Sequence, residues 1–124
     1  MSRKSFLFPP GIWVFLAGSL FGAALSAGSM SHEPKAKTVL ENDRVLVQEL
    51  HYTQGTRRPG HIRSHDQVIV FLDDAHYEVS HPNGRKESRT RKRGDVIWHS
   101  QGESAPLLTS LSEKSYHTLV VYLK

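Results

Sequence analysis

Residues 67–91 read QVIVFLDDAHYEVSHPNGRKESRTR, and this stretch decides the fold class. Gln67 to Leu72 is apolar on both faces, too short for a helix, and suited to a strand inside a closed or sandwiched sheet. Asp73-Asp74 turns the chain. His76–His81 and Lys86–Arg91 then flank Pro82-Asn83-Gly84, and Asn-Gly between two strand-like runs is a strong hairpin signal. Further on, Gly94-Asp95 turns into a strand over Val96–Ser100. A loop over Gln101–Pro106, a short strand over Leu107–Leu111 and a closing strand over Tyr116–Leu123 follow. Upstream, Val45–Tyr52 is a strand, and Thr53–Gly60, with Gly55, Pro59 and Gly60, is a loop. No stretch after residue 37 repeats apolar residues at helical spacing over three turns. Short strands separated by frequent turns predict an all-β sandwich or barrel.

The 124 residues have room for one domain. There is no cysteine, which excludes disulfides, a thiolate metal site and a cysteine nucleophile. The N-terminus has a different character. Arg3 and Lys4 precede an uncharged apolar run from Gly11 to Ala27 that ends in small residues. That order is the pattern of a secretory signal over residues 1–29, with cleavage sites after Ser26, Gly28 or Ser29. The alternative is a membrane anchor over residues 11–27, at the short limit for spanning a bilayer. Residues 30–37 form a loose lead-in, and the domain proper covers 38–124. The expected location is periplasmic or extracellular. All twelve acidic residues follow residue 30 and two of the sixteen basic ones precede it, so the exported part sits near +2. The whole-chain pI of about 9.6 therefore does not point to nucleic acid.

The chain resembles a small cupin over roughly Thr38 to Lys124. The resemblance rests on Thr38-Val39-Leu40-Glu41-Asn42-Asp43-Arg44-Val45, Pro59-Gly60 before a His-containing segment, and the Asn83-Gly84 hairpin. Arg93-Gly94-Asp95-Val96-Ile97-Trp98 and the valine-rich final strand complete it. It implies a small antiparallel jelly-roll barrel with a ligand or metal pocket inside, and association of two copies through their sheets. The family's metal positions carry over poorly. The first motif requires His-x-His and a carboxylate four or five residues on; here stand Arg63-Ser64-His65, with Ile69 and Val70 at the carboxylate positions. The second requires a histidine about ten residues after its glycine, where Ser104 and Ala105 stand. Only His65 matches, and a permanently protonated guanidinium repels a cation. No cofactor is expected.

His61, Arg63 and His65 share parity, so on a strand they project from one face. They form the candidate ligand site, a guanidinium fork for a carboxylate or phosphate with histidines beside it, and a small molecule as partner. The alternative is a divalent transition metal on a rearranged set, His61 and His65 with His99, or with His51 or His117, serving a metal-dependent enzyme. A further possibility is a copper site at Met30-Ser31-His32, if cleavage follows Ser29. A third class of function lies in the hairpin 85–93. Arg85, Lys86, Arg89, Arg91, Lys92 and Arg93 crowd six positive charges into nine positions, either blunting an edge strand or contacting an anionic envelope surface. No aromatic residue interleaves with them, so nucleic acid is not expected. Trp98 is read as core, with His99 facing the other way. No nucleophile elbow, P-loop, zincin or dinucleotide motif is present, so no reaction is specified.

Overall fold

The computed structural model describes residues 33–124. The export signal, the alternative anchor and the Met30-Ser31-His32 motif lie outside the described residues. Eleven strands, and no helix, occur among the described residues. They are β1 (Lys35–Glu41), β2 (Val45–Tyr52), β3 (Arg57–Arg58), β4 (His61–Ile62), β5 (Asp66–Phe71) and β6 (Ala75–Ser80). β7 (Lys86–Arg91), β8 (Val96–His99), β9 (Ser104–Ala105), β10 (Leu107–Ser110) and β11 (Tyr116–Leu123) follow.

All pairings are antiparallel. One sheet runs β1-β2-β11-β5-β8, a second β3-β10-β6-β7, and β4 pairs with β9 in a short ladder. The non-sequential order is that of a jelly roll, and strands from both sheets send residues into one core. β11 is the keystone of the larger sheet: Tyr116–Leu123 pairs along its whole length with β2 on one side and through Thr118–Leu123 with β5 on the other. A run of Val, Leu and Tyr suits this central place, since branched and aromatic side chains fit a pleated surface covered on a face.

The sheets meet over Tyr52, Ile69, Phe71, Ala75, Tyr77, Val79, Leu108, Tyr116 and Val120. The Tyr52 and Tyr116 rings stack at 4.7 Å, and Tyr116 also lies 6.3 Å from Phe71 and 6.5 Å from Tyr77. Two expectations change at the strand level. Pairing begins at Lys35 rather than after residue 37, because Lys35 to Thr38 lie in register with His51 to Gln48. Trp98 is not core: it is 50 % exposed, and its Nε1 donates to Ser100 Oγ at 3.0 Å. Its register partner Val68 faces outward, so Trp98 does too, while Ile97 and His99 turn inward.

The hairpin loop is Pro82-Asn83-Gly84, with Gly84 at φ 88°. Asn83 Oδ1 accepts the Arg85 amide at 2.9 Å, and the His81 amide donates to the Arg85 carbonyl at 2.8 Å. β7 is an edge strand, and alternation divides its charges: Lys86, Ser88 and Thr90 are exposed, while Glu87, Arg89 and Arg91 are half-buried. Glu87 bridges Arg85 and Arg89, at 2.7 Å to each. The six cations therefore do not form one patch.

The aspartates expected at turns act there through the backbone. Asp66 Oδ1 accepts the Gln101 amide and Asp74 Oδ1 the Arg93 amide. Asp73 Oδ2 accepts both the amide and Nδ1 of His117, each at 2.9 Å, which ties the turn after β5 to the start of β11. The His117 side-chain bond holds the Asp73 carboxyl below its ordinary 3.8. A depressed carboxyl contributes stability above the unfolded pKa and loses it as pH falls through the folded one. Asp73→Asn is expected to cost about 1 kcal/mol at pH 7, a partly solvated charge-assisted bond. In urea titrations the gap between wild type and variant closes below the folded pKa. A gap that persists in acid would rule out the carboxylate as its source.

Candidate functional site

Alternation along the strands fills the barrel in rows. His99, Gln67 and Tyr122 face one another across β8, β5 and β11. Ile97, Ile69 and Val120 form the next row, and Phe71, Thr118 and Leu50 the one below it. Tyr116 and Tyr52 complete the floor. Opposite them stand Arg58, Leu108 and Val79 in one register row, with Tyr77 and Arg89 in another. These rows enclose a cavity of about 260 Å³. His61, Arg63, Ser104 and Pro106, from β4, β9 and the segments beside them, reach it at the His99 end, and His81 joins them from the end of β6.

The cavity wall carries three arginines and three histidines, and no aspartate or glutamate among the described residues. Arg63 is 5 % exposed. Its main chain is held on both sides, the amide donating to the Glu103 carbonyl at 2.9 Å and the carbonyl accepting from the Gly102 amide at 2.8 Å. Its Nε is buried without a hydrogen-bond partner, and so is that of Arg58. Arg58 Nη2 donates only sideways, to the Pro106 carbonyl at 2.9 Å. Burial and the neighbouring Arg58 guanidinium push Arg63 below the ordinary arginine range, with Glu103 partly opposing them. Arginine nevertheless stays protonated in proteins, so Arg58 and Arg63 are two neighbouring cations on this wall. Arg89 differs, because Glu87 Oε1 accepts from both its Nε and Nη2, at 2.9 and 2.7 Å.

His61 lines the cavity from its exposed rim, with Nδ1 3.2 Å from the Pro59 carbonyl. His65 does not line it. The regular pairing of β4 ends at Ile62 and the chain bends at His65, so the shared parity with Arg63 breaks. His65 Nδ1 bonds Ser64 Oγ at 2.9 Å, and its ring meets the Tyr122 ring edge-on. The triple His61, His65, His99 therefore does not form. His51 and His117 cannot substitute, since they stack on each other at 4.4 Å on the face opposite Tyr52 and Tyr116. No group of three His, Asp or Glu side chains placed to hold a metal ion occurs among the described residues. The donors that a cupin metal ion requires do not converge in this barrel.

Arg58, Gln67, His81, Arg89 and Tyr122 are cavity residues that sequence reading missed. Gln67 carried a signal, as a polar residue sharing inward parity with Ile69 and Phe71. Arg58 lay in a stretch read as loop, and only its pairing with Leu108 turns it inward.

The fold is that of the cupins. A cupin domain from Bordetella pertussis superposes with a TM-score of 0.69 at 20 % identity, covering 78 % of this chain and 99 % of that one. An RmlC-like cupin from Methanocaldococcus jannaschii, described as a double-stranded β-helix, gives 0.59 at 10 % identity over 85 % and 93 %. A polyketide cyclase from Streptomyces resistomycificus gives 0.59 at 19 % identity over 76 % and 69 %. No family model and no curated protein matches the sequence. Cupins of varied role thus share this barrel, and the likeness establishes architecture alone.

His99 Nδ1 donates to Glu103 Oε1 at 2.9 Å, so with Glu103 ionised Nε2 is the acceptor nitrogen. Burial pushes the His99 imidazole below 6.5; Glu103 pulls it up and Arg63 pushes it down. Its NMR titration midpoint is expected below 6.5, and lower still in Glu103→Gln, which removes the partner favouring imidazolium. A midpoint that rises in the variant would contradict this electrostatic arrangement.

Proposed function

We propose that this cupin barrel binds a small anionic ligand without a metal ion, with Arg63 and Arg58 holding the anion and His61 and His99 flanking it at the rim. One observation carries the reading: two buried guanidinium Nε donors lack partners on a cavity wall that bears no carboxylate. A buried donor left unpaired is costly, and an anion that accepts from it removes that cost. A metal-dependent reaction lacks support from the donor set described above.

Calorimetric titration of purified protein with hexanoate, benzoate and inorganic phosphate tests this reading. At least one is expected to bind, and Arg63→Ala to weaken it by more than about thirtyfold, the loss typical of a buried charge partner. The circular dichroism of the variant should match wild type. Binding by none of the three probes, or unchanged affinity in the variant, would refute the proposal. A stoichiometric transition metal lost in His99→Ala would refute it as well.

We also propose export by residues 1–29, supported by the charged start, apolar run and small-residue exit. Mass spectrometry of the protein from its expressing cell should find a chain starting at Ala27, Ser29 or Met30, after cleavage behind Ser26, Gly28 or Ser29. A full-length chain retained in membranes would support the anchor instead.

A further inference from the structure

The cavity is not uniform along its axis, and that asymmetry narrows the ligand. β5 runs from Gln67 at the rim to Phe71 at the floor, and β11 runs the opposite way, from Tyr116 to Tyr122. Gln67, His99 and Tyr122 therefore stand at the rim, where His61 and Arg63 also reach the cavity, while Arg58 stands in the row of Leu108 and Val79. Below the rim the wall is largely apolar, with Ile69, Phe71, Tyr77, Val79, Tyr116 and Val120 all at most 8 % exposed, and Arg89, in the row of Tyr77, is held by Glu87. Thr118 adds one hydroxyl there. Burial raises the Tyr52 and Tyr116 phenols, so these two groups stay protonated and uncharged. A compact polar anion such as phosphate satisfies the arginines and leaves this apolar well unfilled.

We infer that the ligand is an amphiphilic monocarboxylate, its head on Arg63 and Arg58 and its apolar tail directed down the barrel toward the Tyr116–Phe71 floor. This rests on the anion reading above and adds the tail. The size follows from the volume. A cavity of about 260 Å³ corresponds to about nine water-sized groups, a carboxylate carrying on the order of five to seven further carbons. One carboxylate has two oxygens, so a single head can accept from both guanidiniums that line the cavity. A second negative charge on the tail would meet there only one hydroxyl, the phenols and Arg89, whose Nε and Nη2 already donate to Glu87.

The experiment is a homologous series, acetate, butanoate, hexanoate and octanoate, with hexanol as the uncharged control, titrated calorimetrically into wild type and Arg63→Ala. Affinity is expected to rise about fourfold per methylene until the well is filled, near hexanoate to octanoate. In Arg63→Ala the carboxylates weaken by a common factor and the slope persists, because head and tail act separately. Hexanol should bind far more weakly than hexanoate. A series without slope, still dependent on Arg63, would overturn the tail while leaving anion binding in place. Phosphate binding with no binding by any carboxylate would overturn the amphiphilic carboxylate alone; hexanol binding as tightly as hexanoate, or binding by neither phosphate nor any carboxylate, would overturn the anion reading itself.

Discussion

Stacked rings hold this barrel together. Tyr116 lies against Tyr52 in its own sheet and reaches Tyr77 in the other, with Phe71 beside both. Without cysteine, nothing covalent joins the sheets. Each buried side chain of this size contributes about 1.5–3 kcal/mol by leaving water, and each well-placed ring pair about 0.5–1.5 kcal/mol more. Because the rings gather at one end, that end closes and the other does not. The cavity exists because the stabilising contacts are unevenly distributed along the barrel axis.

Into the open end the chain places a charge that the core does not need. Burying a guanidinium costs several kcal/mol unless its donors are paired. Arg63 recovers part of this through its proximity to Glu103. Its position comes from the main chain, which continues the short β4–β9 ladder through hydrogen bonds to Gly102 and Glu103. A fixed main chain and burial pre-orient this side chain, so the anion binding proposed above would order little that was free before. The contrast with Arg89 is instructive, since Glu87 grips it in two hydrogen bonds and leaves it little capacity for another partner.

Much of the architecture was legible from local pattern. β2, β7 and β11 have the bounds expected for them, and β5, β6, β8 and β10 fall within a residue of theirs. These segments combine alternation with turn residues, the two signals that need no partner to be seen. β1, β3 and β9 lacked both and exist only through their neighbours: Lys-Ala-Lys-Thr pairs because β2 offers it an edge. The site was half legible. Arg63 and His61 reach the cavity, yet His65 does not, because parity counts only while the strand lasts. Arg58 needed a pairing with β10, fifty residues away in the chain. Trp98 was assigned to the core by its size, and register with Val68 decided otherwise.

The barrel's interior chemistry follows from which charge stands where metal ligands would converge. Imidazoles and a carboxylate directed at one point leave lone pairs that a divalent cation can accept. Here the inward positions hold guanidiniums, which have protons to donate and no lone pair to offer. The same concave geometry, with its donor and acceptor roles exchanged, is complementary to an anion. Three histidines share the wall without converging as a metal site; His99 donates its Nδ1 proton to Glu103, and His51 and His117 are turned to the opposite face of the sheet. With no converging set of metal ligands among the described residues and guanidiniums on the wall, the proposed ligand would owe its charge to the arginines and its body to the apolar residues below them.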